Sequence, residues 1–176
     1  MTRAGILLLA ALSATATGGA QTKPAPVSTP KATVRPMAAK PTASPKAGPS
    51  SGEQAIFDAA NRERAAHKLP PLKWNARLAS AARGHAQKMA QAGTLSHEFP
   101  GEAGMGMRIR MAGVHFSSVA ENVAQGPSAA ALHQLWMNSP PHRANILDPE
   151  LDSLGVAIVE RGGQLFAVQD FALAAP

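Results

Sequence analysis

Apolar residues recur every three or four positions in two long stretches of the chain. Ile56, Phe57, Ala60 and Arg64 share one side of a segment that Ser50-Ser51-Gly52-Glu53 opens as a capping box and that runs to about His67. In such a box a serine oxygen receives a free amide three residues on, and the glutamate reaches back to the cap. Leu69-Pro70-Pro71-Leu72 ends this helix, and Trp74 enters the core after it. Leu78, Ala82, His85 and Met89 repeat at the same interval in a second helix, capped by Asn75 and stopped by Gly93. A short helix spans about Met107 to Ala112 and closes on Gly113. Ser128 caps another that reaches Met137, and Pro140-Pro141 breaks it. Val119 to Ala124, between these two, reads as extended. The period then changes: Leu154 to Glu160, the turn Arg161-Gly162-Gly163 and Leu165 to Phe171 alternate as a hairpin. Helices early and a hairpin late predict an α+β layered domain.

The first fifty residues follow neither period. Residues 1–20 read as a secretory signal: Arg3 gives a positive start, Ile6 to Leu12 an apolar run, and Gly18-Gly19-Ala20 a small-residue end, with cleavage at Ala16 or Ala20. The apolar run is too short to span a bilayer, so no transmembrane segment is expected after cleavage. Residues 21–50 hold Pro24, Pro26, Pro30, Pro36, Pro41, Pro45 and Pro49 among Ala, Thr, Ser and Lys. That composition buries too little apolar surface to offset ordering entropy, and predicts a disordered, basic, Pro-rich linker. Residues 51–176 are then the folded domain.

Charge and cysteine content narrow the function classes. The net charge is +6, but Lys23, Lys31, Arg35, Lys40 and Lys46 place the excess in the linker, and the domain from Ser50 onward is balanced. A nucleic-acid partner is therefore not expected. A basic tail instead suits an anionic envelope surface. There is no cysteine, so an exported domain of this kind must hold its core without disulfides, which a chain of roughly 120 residues can do.

The six histidines make no local metal motif, and no Gly-x-Ser-x-Gly is present. What stands out is an ordered set of short strings. Ser96-His97 and Ala120-Glu121-Asn122-Val123-Ala124 precede Trp136-Met137-Asn138-Ser139-Pro140-Pro141-His142-Arg143-Ala144-Asn145-Ile146-Leu147, and Gly155-Val156 and Val168-Gln169-Asp170-Phe171 follow it. In this order and spacing, from about Gln54 to Phe171, the set resembles the bacterial branch of the CAP superfamily, the SCP-like extracellular proteins. The resemblance implies a three-layer α-β-α sandwich with a small antiparallel sheet between helices. It also implies a cleft floored by two histidines and two acids, with a divalent metal held through the histidines in some members.

Carried over position by position, the histidines match His97 and His142 and the first acid matches Glu121. The second acid of many eukaryotic members falls three residues after the tryptophan matching Trp136, where this chain has Ser139. The tetrad is thus at most a triad. The usual glycine before the second histidine is Pro141, which cannot take positive φ, so the loop must turn differently or with a locked backbone. Zinc is the implied cofactor, on His97 and His142 with Glu121, leaving a fourth position for water. Without a metal, the carboxylate favours the imidazolium forms of its neighbours and the group is a polar cleft or a structural network. Ser139 beside His142 is a minor candidate nucleophile. His67, His85, His115 and His133 match no ligand position and read as packing or surface residues. Arg143 and Asn145 are expected to tie the loop after His142 to neighbouring backbone. Trp136 and the methionines Met105, Met107 and Met111 read as core.

The function expected from this pattern is a secreted, non-enzymatic module. It would bind an envelope or extracellular ligand, lipid-like or glycan-like, in a cleft floored by His97, Glu121 and His142. Two alternatives stand beside it. One is a metal-dependent hydrolase of envelope peptide or glycan, with Glu121 as ligand or base. The other is a structural or host-interaction protein with an unused cleft.

Overall fold

The computed structural model describes residues 48–175. The expected signal and nearly all of the linker lie outside the described residues. Helix α1 (Ser51–Ala66) starts on the full capping box: Ser50 N–H donates to Glu53 Oε2 at 2.8 Å, and the Ser50 hydroxyl accepts from the Glu53 amide at 3.4 Å. Strand β1 (Lys73–Trp74) leads into α2 (Ala76–Ala92), where Asn75 Oδ1 accepts the amides of Arg77 and Leu78 and Gly93 closes the helix at φ 70°. Then follow α3 (Met105–Met111), β2 (Phe116–Gly126), α4 (Ala129–Asn138), α5 (Pro140–Ile146), β3 (Ser153–Arg161) and β4 (Gln164–Ala174).

The four strands lie in the order β1-β3-β4-β2. The hairpin β3-β4 closes on Gly162 and Gly163, with φ 59° and 75°. A two-residue turn with both φ positive matches the twist of the strands it joins, and glycine takes it without strain. Strand β2 returns antiparallel to β4 and forms one edge. At the other edge β1 pairs parallel to β3, so the sheet is mixed rather than wholly antiparallel as expected. Its two residues are laid down in passing between α1 and α2, on bonds from Lys73 N to Asp152 O (2.8 Å) and Asn75 N to Leu154 O (3.0 Å).

Side chains of a strand alternate between faces, and here each face buries its own helices. Val123, Ala157 and Val168 pack with Ala82, Ala86 and Met89 of α2. Ala124, Leu154, Val156, Ala167 and Phe171 pack with Ile56 of α1, Leu132 and Trp136 of α4 and Ile146 of α5. The result is the three-layer α-β-α sandwich. Gly155 lets α2 approach β3 closely, since a Cβ there would fall 2.1 Å from Ala79 N. On the opposite face the buried Arg64 guanidinium donates to the carbonyls of Pro70, Ile146, Asp148 and Leu151, at 2.7–3.1 Å, and so joins α1 to α5 and the turn after it.

Two local expectations change. Pro140 and Pro141 do end α4, but they also open α5, at its first two positions. Those positions have no intrahelical N–H acceptor and favour φ near −65°, so proline suits both. The segment carrying His142 is thus a helical first turn and not a loop. Met107 and Met111, expected in the core, are 53% and 75% exposed. Helix α3 has only seven residues, and Ile109 is its one fully buried residue, so the face carrying Met107 and Met111 is left to solvent.

Candidate functional site

Glu121 lies on the edge strand β2 with its side chain almost wholly buried. One of its oxygens accepts from His97 Nδ1 at 2.8 Å, and the other is ion-paired with Arg108 of α3. Arg108 also donates to the carbonyls of His97 and Ala103, both at 3.3 Å. Directly across the β2–β4 ladder from Glu121 stands Asp170, fully buried, whose oxygens accept no hydrogen bond from an N–H or O–H donor among the described residues. Burial, then the charge of Glu121, push the Asp170 carboxyl well above the usual carboxylate range, with Arg108 opposing. The protonated form is the one such a site favours, and its proton has Glu121 as neighbour.

His97 belongs to the loop between α2 and α3, and that loop is held by His85. Both ring nitrogens of this buried histidine face acceptors: Nδ1 the two oxygens of Glu102 at 3.1 Å, and Nε2 the carbonyl of Ser96 at 2.7 Å. Burial raises the Glu102 carboxyl, but its hydrogen bond to His85 and the charges of His85, Arg108 and Lys88 outweigh that and lower it. His85 therefore fixes the residue next to His97, which is more than the helix-face packing expected of it.

His142, in the first turn of α5, is half-buried. Burial and the nearby His97 both lower its pKa. Its carbonyl accepts from Asn122 Nδ2 at 3.0 Å, and the same nitrogen reaches Gln169 Oε1 at 3.0 Å, while Asn145 donates to Asn122 Oδ1 at 2.8 Å. Consecutive residues of β2 thus serve opposite faces: Glu121 holds the loop of His97, and Asn122 holds the helix of His142. Arg143 turns from backbone to side chain and meets His67 Nε2 at 3.0 Å.

Ser139 joins α4 to α5: its N–H donates to the Trp136 carbonyl at 3.1 Å, while its hydroxyl makes no capping bond to α5. With His142 it lines a cavity of about 340 Å³ whose other walls include Leu95, Val123, Leu135 and Trp136. Leu95 and Leu135 are two of the few large apolar side chains left exposed among the described residues. The Trp136 indole N–H is buried without an acceptor among the described residues.

The residues do not fit a zinc triad. Among the described residues no three His, Cys, Asp or Glu side chains close on one point. Both oxygens of Glu121 are engaged, one of them by a cation. Sequence reasoning does not single out Arg108, Glu102 or Asp170. Asp170 does carry a signal: an acid in phase with Phe166 and Val168 on the inward face of an apolar strand. Arg108 and Glu102 lie in or beside a short irregular segment without period.

A family model for the cysteine-rich secretory protein family, CAP, matches residues 57–171. The chain belongs to the CAP family. It is 30% identical over 122 residues to the Bacillus subtilis protein YkwD, covering 69% of this chain and 48% of that one. Among solved structures it resembles an extracellular SCP-domain protein of Bacillus anthracis, at a TM-score of 0.64 and 31% identity, over 72% of this chain and 45% of the other. The chain thus spans about half the length of these relatives. An outer surface protein of Borrelia burgdorferi has the same fold, at a TM-score of 0.67 and 19% identity over 73% of this chain and 97% of its own. The bacterial, cysteine-free form of the CAP domain is the one seen here. No helix among the described residues is long and apolar enough to cross a membrane.

Proposed function

We propose that this CAP-domain protein is exported and non-enzymatic, and that its cleft captures an amphiphilic component of the cell envelope, lipid-like rather than glycan-like. The observation that carries this reading is the composition of the cavity beside His142. Its walls are aliphatic and aromatic and its polar groups, Gln125, Ser139 and His142, are few. At about 340 Å³ it is near the small end of ligand pockets, which span roughly 300–1,000 Å³ and combine apolar walls with a few placed polar groups. A glycan would leave its hydroxyls unpaired against Leu95, Val123 and Leu135. Export is supported by the leader-like residues 1–20 and by the extracellular character of the Bacillus anthracis relative. The basic residues of 21–50 would hold the protein near an anionic surface.

The test is co-sedimentation of the chain with liposomes of anionic phospholipid and with purified cell wall, at low and moderate salt. Liposome binding that weakens in Leu135→Glu and persists in part at moderate salt supports the reading. Binding to wall alone would replace it with a glycan ligand. Binding to neither would overturn it.

A further inference from the structure

We propose that Arg108 is the resident cation of the His97–Glu121 group, occupying the position on Glu121 that a divalent metal ion would need. The inference goes beyond the ligand reading above and does not depend on it. Arg108 side-chain exposure is 8% and that of Glu121 is 2%, so the pair meets where water screens little. The guanidinium takes one Glu121 oxygen and anchors on the carbonyls of His97 and Ala103. His97 Nδ1 takes the other oxygen. A metal ion at Glu121 would have to displace one of these partners and then lie against a fixed positive charge.

The ligand types around Arg108 are otherwise ones a zinc ion uses, His97 and Glu121, with the Asp170 carboxyl across the ladder, which would have to give up its proton to join them. As arranged, no three of them converge. Removing the guanidinium would leave the Glu121 carboxylate, beside the Asp170 carboxyl, without its buried counter-charge. His97 would remain on one Glu121 oxygen, but a carboxylate this deeply buried that loses its guanidinium must either take up a proton or accept another cation, and a divalent ion is the cation that also takes an imidazole ligand. A sequence reading that carries histidines and acids over from the family pattern therefore sees the ligands and misses the residue that blocks them.

The experiment is zinc titration by calorimetry at neutral pH on the whole chain, comparing wild type, Arg108→Met and Arg108→Lys. Arg108→Met is expected to bind one zinc at least about a hundredfold more tightly than wild type. Arg108→Lys, which keeps the charge, is expected to stay as weak as wild type. Adding His97→Ala to Arg108→Met should abolish the gain. If Arg108→Met does not fold without metal, thermal melts of Arg108→Gln with and without zinc replace the titration. Zinc should raise the melting temperature of that variant and leave wild type unmoved. The proposal is overturned if wild type binds zinc tightly and loses it in His97→Ala. It is equally overturned if neither neutral variant gains zinc, or if Arg108→Lys gains it as well.

Discussion

Replacing Gly155 by alanine tests whether the contact between α2 and β3 is set by backbone or by side chains. The added Cβ would lie 2.1 Å from Ala79 N, 2.3 Å from the Leu78 carbonyl carbon and 2.5 Å from Leu78 Cβ. Helix α2 would have to retreat by roughly 1 Å to restore ordinary contact, and a gap of that size forfeits about a quarter to a half of each dispersion well along the interface. Leu78, Ala82 and Met89 all lie on that interface, fully buried. Overpacking a core typically costs about 1–3 kcal/mol when side chains can rotate away. Here the first atoms struck belong to a helix backbone, so the expected loss is about 3–5 kcal/mol, a large share of the total stability of a domain this size. Urea unfolding followed by the fluorescence of Trp74 and Trp136 measures it. Gly84→Ala is the control: it is in the same helix, no atom lies within 4 Å of the added Cβ, and the change should stabilise by about 0.5–1 kcal/mol. A Gly155→Ala protein within about 1 kcal/mol of wild type would refute the close-approach argument.

Three further outcomes are expected. Arg64→Met takes the donor from four carbonyls, those of Ile146 and Leu151 in buried hydrogen bonds, and should cost about 3 kcal/mol or more; Arg64→Lys should recover only part of this, because an ammonium lacks the planar fork, and urea melts of both would show it. The folded protein holds the Asp170 proton more tightly than the unfolded chain, so this group's contribution is full below about pH 4 and is lost as pH rises toward its folded pKa. Asp170→Asn, with no proton to release, should flatten that slope and be about 1 kcal/mol or more stabler than wild type at neutral pH; equal slopes in melts from about pH 4 to 8 would count against a raised Asp170. His85→Gln cannot reach both Glu102 and Ser96 and should speed amide exchange across residues 94–104 while α2 stays protected; unchanged exchange there would show that the loop holds itself.

The helix boundaries are legible because their signals are local. Ser50 and Glu53, Asn75 and Gly93, Ser128, and the Gly162-Gly163 turn each act within four residues of themselves, and each does in the fold what its chemistry suggests. The layered α+β class follows from the change of period. Pro140-Pro141 reads as a break because proline ends a helix and starts one with the same φ, and only packing against β2 decides that α5 follows. Met107 and Met111 mislead for a similar reason: apolar character does not say which side of a seven-residue helix finds a partner.

The site divides along the same line. Sequence by itself determined which residues carry the family pattern, His97, Glu121, Ser139 and His142, and that no disulfide braces them. Tertiary structure alone decided what those residues face. Strand β2 is an edge strand with alternating faces, so Glu121 and Asn122 look toward different helical layers. Asp170 meets Glu121 only through the register of β2 on β4, and Arg108 meets it only because α3 folds back over the strand. Such charges are paired by distance in space, and burial fixes their strength. Neither quantity has a period along the chain for a sequence to display.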